Sequence, residues 1–135
     1  MRRLFLDSSV LFTAVNSPTG GAAKLFTLSN IRLIVSPLVL SEVERNVRNK
    51  LESYHLDRFF LLTKALIIID QFPDVARIHA AGRVIHSKDA AILAEAKFAA
   101  CDILVSLDRK HFFTKEVRAF LKPKRVMTPK EIFVL

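Results

Sequence analysis

Short apolar runs flanked by polar residues recur along the chain, and each predicts a buried β-strand. The runs cover residues 4–6, 31–35, 66–69 and 103–105, and residues 125–127 form a weaker fifth run. Ser36-Pro37 predicts a helix start, because a capping hydroxyl precedes a proline at the first helical position, and we expect this helix to reach Leu51. Further helices are predicted to begin at Asp7-Ser8-Ser9, Ser87 and Thr128, and to cover residues 22–28, 56–66, 73–81 and 114–121.

Strands and helices alternate along the chain, and the strands are apolar almost throughout. Strands without polar alternation indicate a sheet that is covered on both faces, which is typical of parallel sheets. We therefore expect one domain over residues 1–135, an α/β fold built as a three-layer α/β/α sandwich with a mostly parallel sheet of four to five strands. Sites in such sheets form beyond the carboxyl ends of the strands.

Composition and charge limit the kinds of partner that we expect for such a domain. The 135 residues include 21 Lys and Arg against 13 Asp and Glu, and the formal charge of +8 favours polyanions such as nucleic acid. Cys101 is the only cysteine, so we expect no disulfide, no thiolate metal site and a reducing, cytoplasmic environment. No apolar run reaches the roughly 18 residues of a spanning helix, and residues 1–7 lack the pattern of a signal peptide. We expect no membrane partner.

Four carboxylates follow the predicted strands. Asp7 comes directly after the first strand and Asp108 comes shortly after the fourth. Glu42 lies in the helix after the second strand, and Asp89 lies in the first turn of the helix that begins at Ser87. Like charges gathered at one edge of a sheet resist ionisation unless a cation neutralises them. Oxygen ligands suit Mg²⁺ or Mn²⁺, and carboxylates holding such ions are the usual apparatus for phosphodiester cleavage.

Three of these acids also have a structural interpretation. Asp7 can cap a helix, Asp89 can interact with the positive end of its helix, and Asp108 can open a turn. Each alternative stays open for the residue taken alone.

Two glutamates, Glu42 and Glu44, are candidates for the fourth carboxylate of the predicted site. Two residues span about 200° around a helix, so both side chains cannot face one site. Glu44 has Arg48 four residues later, the favourable order for an exposed ion pair, which leaves Glu42 for the site. The histidines are scattered along the sequence, and we expect surface or packing roles for His79, His86 and His111.

The ordered set of segments resembles the PIN domain family, nucleases that include the toxin half of many VapC-like toxin–antitoxin pairs. The likeness spans the chain. Its pieces are LFLDSSV (4–10), VSPLVLSEV (35–43), SKDAAILAEA (87–96), DILVSLD (102–108) and VMTPKEIF (126–133). The resemblance implies a divalent-metal-dependent ribonuclease that hydrolyses RNA phosphodiester bonds with Mg²⁺ or Mn²⁺ and without an organic cofactor. It further implies an RNA substrate, an antitoxin protein and a second copy of the chain as partners.

The resemblance also assigns roles to individual residues. Ser106 matches a position where the family often has threonine, whose hydroxyl supports the acidic cluster, and Ser8 is a lesser polar support. Where many members carry another acid or Asn after the fourth motif, this chain has Arg109, Lys110 and His111. The catalytic and metal-binding acids implied by the family are Asp7, Glu42, Asp89 and Asp108.

An acidic site that cleaves RNA needs basic residues around it to attract the phosphates. Two rival functions stay open: a non-catalytic RNA-binding or scaffolding PIN-like domain, and a phosphoacceptor domain. Phosphoacceptor domains usually carry an acidic pair near the end of the first strand, which Leu6-Asp7-Ser8 lacks, and Gly20-Gly21 does not match a dinucleotide-binding loop. The candidate RNA-attracting residues are Arg45, Arg48, Lys88, Arg109 and Lys110.

Overall fold

The apolar runs form one sheet of five parallel strands in a computed structural model that describes residues 1–135. The strands are β1 (Arg2–Leu6), β2 (Ile31–Val35), β3 (Ile67–Ile68), β4 (Ile103–Val105) and β5 (Arg125–Met127). Their order across the sheet is β3-β2-β1-β4-β5. The order changes direction between β1 and β4, and the crevice outside the carboxyl ends of these two strands is the usual position for a site.

Nine α-helices and one 3-10 turn (Leu25–Thr27) connect the strands. The helices are α1 (Ser8–Asn16), α2 (Gly21–Lys24), α3 (Pro37–Lys50), α4 (Tyr54–Thr63), α5 (Val75–Ala81), α6 (Ser87–Phe98), α7 (Arg109–Phe112), α8 (Lys115–Leu121) and α9 (Pro129–Ile132). Helix α1 contacts α2, α3 and α4, whereas α5 contacts α6. The structure confirms the predicted α/β/α sandwich and its parallel sheet.

Strand β1 is the centre of the core. Leu4, Phe5 and Leu6 are fully buried, and Phe5 lies opposite Ile34 of β2 and Leu104 of β4 in the parallel register. Burial of a large apolar side chain contributes about 1.5–3 kcal/mol. The same central position brings the end of β1 next to the ends of both neighbouring strands.

The start of α3 confirms the Ser36-Pro37 prediction. The Ser36 hydroxyl accepts a hydrogen bond from the backbone N–H of Val39 at 3.1 Å, and Pro37 occupies the first turn. Helix α3 ends at Lys50, with Leu51 as its C-cap. This cap fixes the direction in which α3 leaves the carboxyl edge of the sheet.

Several element boundaries differ from the prediction. Strand β3 keeps only two of the four residues predicted for it, and α4 covers 54–63 instead of 56–66. The helix predicted over 22–28 divides into α2 and the 3-10 turn.

Two helix starts near the carboxyl edge also differ. Ser87 is the first residue of α6 rather than its cap, because the His86 ring nitrogen accepts from the Lys88 N–H at 3.3 Å. Helix α7 was not predicted. It forms because the Asp108 carboxylate accepts from the His111 N–H at 3.1 Å, which turns the predicted loop into one helical turn.

Candidate metal centre

Asp7 lies at the end of β1, where its side chain is 4% exposed. Its Oδ1 accepts from the Ser8 N–H at 2.7 Å, which makes Asp7 the N-cap of α1. Its Oδ2 accepts from the hydroxyls of Ser9 and Ser106, each at 2.8 Å. Asp7 therefore caps a helix and also receives two hydroxyls that hold its carboxylate in one orientation.

Ser106 connects the ends of β1 and β4. It is fully buried directly after β4, and its hydroxyl donates to Asp7 while it accepts from the Asp108 N–H at 3.0 Å. The Leu107 N–H donates to the Ser9 hydroxyl at 3.1 Å and forms a second link between the same segments. These bonds fix the spacing between the Asp7 and Asp108 segments.

Glu42 reaches this cluster through Ser8. The Ser8 hydroxyl donates to Glu42 Oε2 at 2.8 Å. Glu44, two residues further along α3, instead pairs with Arg48 Nε at 3.1 Å. This ion pair confirms the exposed pairing predicted for Glu44, and the site role of Glu42 stays a prediction.

Asp89 approaches the cluster from the first turn of α6. Its Oδ2 is buried and has no hydrogen-bond partner. Ligand atoms of Asp89, Asp108 and His111 all lie within 4.8 Å of one another. The His111 Nδ1 lies 2.9 Å from Asp108 Oδ2.

Burial raises the pKa of Asp7 above its ordinary value, and the hydrogen bonds from Ser106, Ser9 and Ser8 oppose this rise. Burial also raises the pKa of Asp89, with a further rise from the charge of Asp108. Removing water from a carboxylate disfavours its charged form, and a nearby cation restores it. A divalent ion that prefers oxygen ligands fits these groups, because Asp89 Oδ2 lacks any other partner.

The structure brings all five predicted site residues to the carboxyl edge of the sheet. Asp7, Ser106 and Asp108 are joined by hydrogen bonds, and Ser8 joins Glu42 to them. Asp89 belongs to the same group through its proximity to Asp108.

Three residues near this edge were not singled out as site residues by the sequence. Ser9 contacts Asp7, although the sequence indicated only a helix-capping role for Ser9. His111 contacts Asp108, although the sequence favoured a surface or packing role. Glu95 of α6 is 3% exposed, and its Oε1 has no hydrogen-bond partner. Burial raises the pKa of Glu95, and the charge of Glu42 raises it further.

Comparison with known proteins assigns the family. A family model described as the PIN domain matches residues 4–117. The chain belongs to the PIN domain family. No curated protein matches this PIN domain by sequence.

Two solved structures share the fold of this PIN domain. A chain of VapBC2 from Rickettsia felis, in a crystal structure with a DNA fragment from its promoter, aligns with a TM-score of 0.68 at 17% identity. That alignment covers 93% of this PIN domain and 98% of the other chain. FitAcB from Neisseria gonorrhoeae aligns with a TM-score of 0.59 at 18% identity, covering 94% and 98% of the two chains.

None of the helices of this PIN domain is long and apolar enough to span a membrane.

Proposed function

We propose that this PIN domain is a ribonuclease that hydrolyses RNA phosphodiester bonds with Mg²⁺ or Mn²⁺. One observation carries the proposal: Asp89 Oδ2 is buried without a partner beside the Asp108 carboxylate. Two carboxylates in this position repel unless a cation lies between them. The net charge of +8 supports RNA as the substrate, because a basic surface attracts a polyanion.

Asp7, Asp89 and Asp108 are the residues that would hold the ion. Glu42, which accepts a hydrogen bond from the Ser8 hydroxyl, would be the fourth ligand. A bound divalent ion supplies a lowered pKa for water and stabilises the negative charge that develops on the phosphate. The Ser106 and Ser9 hydroxyls orient Asp7, and Ser8 orients Glu42. One of the carboxylates would also orient the attacking water or accept its proton.

We propose that the chain is the toxin component of a toxin–antitoxin pair with an antitoxin protein as its partner, and the fold shared with VapBC2 and FitAcB supports this. A second copy of the chain is proposed as a further partner from the family resemblance alone. We propose a cytoplasmic location, where such a toxin meets RNA.

Asp89→Asn tests the proposed reaction. Purified protein is incubated with single-stranded RNA with and without Mn²⁺, and the cleavage rate is measured. We expect the variant to lose at least ~100-fold in rate, because even groups that only support a metal ligand contribute roughly 10–100-fold. Asp57→Asn is the matched control, since Asp57 also lies in the first turn of a helix, α4, and is exposed.

Equal RNA degradation by wild type and Asp89→Asn contradicts the proposal, because the activity then comes from elsewhere. A wild type that binds RNA but neither cleaves it nor binds Mn²⁺ in calorimetric titration identifies the non-catalytic RNA-binding alternative.

A further inference from the structure

His111 is turned toward the acidic cluster, although it ends a run of three basic residues. Arg109 and Lys110 are exposed, whereas His111 is only about one-third exposed. Its Nδ1 lies 2.9 Å from Asp108 Oδ2, and its backbone N–H donates to Asp108 Oδ1. The one-turn helix α7 therefore holds this imidazole against the carboxylate.

The atoms that Asp89, Asp108 and His111 offer lie close enough together for one ion to draw them in. Adjacent ligands of an octahedral ion, at about 2.1 Å from it, lie about 3.0 Å apart, and opposite ligands lie about 4.2 Å apart. The His111 nitrogen and the Asp108 oxygen are 2.9 Å apart, and all three residues offer atoms within 4.8 Å of one another. Asp89 belongs to this group, and its Oδ2 is buried without a hydrogen-bond partner.

We propose that His111 is a direct ligand of the divalent ion and makes this centre prefer Mn²⁺ over Mg²⁺. Imidazole nitrogen suits transition metals, whereas Mg²⁺ strongly prefers oxygen ligands and water. The inference rests on the proposed metal-dependent function and specifies the ion that this site selects.

His86 provides an internal control for this assignment. Its ring lies 6.4 Å from the His111 ring, and it caps α6 by accepting from the Lys88 N–H. It does not belong to the three-residue group around Asp108. Asparagine is also a good N-cap, so His86→Asn removes an imidazole near the site and keeps the helix start.

The test compares wild type, His111→Asn and His86→Asn in the absence of RNA. Mn²⁺ affinity is measured by calorimetry, and Mg²⁺ affinity by competition with Mn²⁺. Electron spin-echo envelope modulation of bound Mn²⁺ reports any directly coordinated nitrogen. We expect nitrogen coupling in wild type and His86→Asn and none in His111→Asn, with the ratio of Mn²⁺ to Mg²⁺ affinity falling roughly tenfold or more in His111→Asn.

Two outcomes overturn the proposal. Nitrogen coupling that is absent from wild type, or that disappears with His86→Asn, shows that His111 is not the ligand. An equal loss of Mn²⁺ and Mg²⁺ affinity in His111→Asn shows that His111 only positions Asp108. Circular dichroism checks the fold of each variant, and His111→Gln replaces His111→Asn if the latter does not fold.

The test of His111 as a metal ligand does not depend on RNA cleavage. Nitrogen coupling in a protein that does not cleave RNA contradicts the proposed function but supports the ligand assignment. If Asp89→Asn abolishes cleavage but wild type shows no nitrogen coupling, the result supports the proposed function and contradicts the ligand assignment.

Discussion

Two buried carboxylates of this PIN domain have different surroundings. Asp7 receives hydrogen bonds from one backbone N–H and two hydroxyls. Glu95 is equally buried, but its Oε1 has no partner, and burial raises its pKa, with the Ser36 hydroxyl opposing the rise. A buried polar atom without a partner costs about 1–3 kcal/mol. Glu95 therefore destabilises the fold when it is charged. The hydrogen bonds to Asp7 offset much of the free-energy cost of burying the Asp7 carboxylate.

Glu95→Met is expected to stabilise the protein at pH 8 by about 1–3 kcal/mol, because methionine has a similar length and no buried charge. The folded-state pKa of Glu95 lies above its usual 4.5, so wild-type stability from this group is full below pH 4.5 and falls as the pH rises through the raised pKa. The difference between variant and wild type should shrink toward pH 4.5. Urea unfolding at a series of pH values measures it.

Exposed Glu52 in the loop before α4 supplies the control. Glu52→Met should leave the pH dependence of stability unchanged. A Glu95→Met variant that differs from wild type by the same amount at every pH would mean that Glu95 carries no unfavourable charge in the folded state.

Residue-level prediction depended on position relative to the strands. Asp7 and Asp108 were found because they follow apolar runs, and Glu42 was separated from Glu44 by the position of Arg48. Their roles in catalysis stay predictions. The positions of His111 and Glu95 were not predicted. No local sequence pattern shows that a one-turn helix brings His111 beside Asp108, or that Glu95 faces inward near Glu42.

Helix α6 runs from the candidate metal centre toward the opposite edge of the sheet. Its first turn carries Asp89, and its last carbonyls accept hydrogen bonds from Lys124. The Lys124 Nζ donates to the carbonyls of Ala96, Lys97 and Ala99 at 3.0, 2.6 and 2.6 Å. These are groups that a helix end leaves unpaired, and a cation there also favours the helix dipole.

Lys124→Met is expected to lower the free energy of unfolding by about 2 kcal/mol, because it removes charge-assisted bonds to three carbonyls. Chemical denaturation measures the change. Lys122→Met, at an exposed neighbouring position, should stay within about 0.5 kcal/mol of wild type. Similar small effects from both substitutions would contradict a capping role for Lys124.

Elements with their own start signals were predicted better than elements defined by tertiary contacts. The caps at Ser36 and Thr128 were visible in the sequence and are present in the structure. Strand β3 was predicted too long, because its ladder pairs only two residues with β2, at Ile34 and Val35. The strand order depends on pairing between β1 and β4, which are distant in sequence.

The molecule as a whole is basic, although its candidate centre is acidic. Arg109 and Lys110 are exposed immediately after Asp108, and Lys88 is exposed immediately before Asp89. Arg48 is already paired with Glu44, which makes it a weaker candidate for RNA contact. This arrangement places exposed positive charge beside the carboxylates.

RNA affinity should fall steeply with salt, with a log–log slope of about −0.7 for each phosphate contacted. Fluorescence anisotropy with single-stranded RNA in EDTA measures binding without cleavage. The double variant Arg109→Ala/Lys110→Ala should reduce the slope by about 1.4.

The control pair is Arg2→Ala/Lys64→Ala, which removes the same charges at exposed positions. Arg2 begins β1 and Lys64 precedes β3, so both lie near the amino ends of strands, away from Asp108. Equal slopes for the two double variants would show that RNA binds without preference for the acidic edge.

The hydrogen bond between Asp7 and Ser106 joins residues 99 positions apart. During translation, the ribosome releases Asp7 and Glu42 long before it completes β4, so a nascent chain holds half of the carboxylates without the hydroxyl that orients Asp7. Under the proposed function, the centre would be complete only after Ser106 and Asp108 have been synthesised and packed against Asp7, and shorter nascent polypeptides would not cleave the RNA around them.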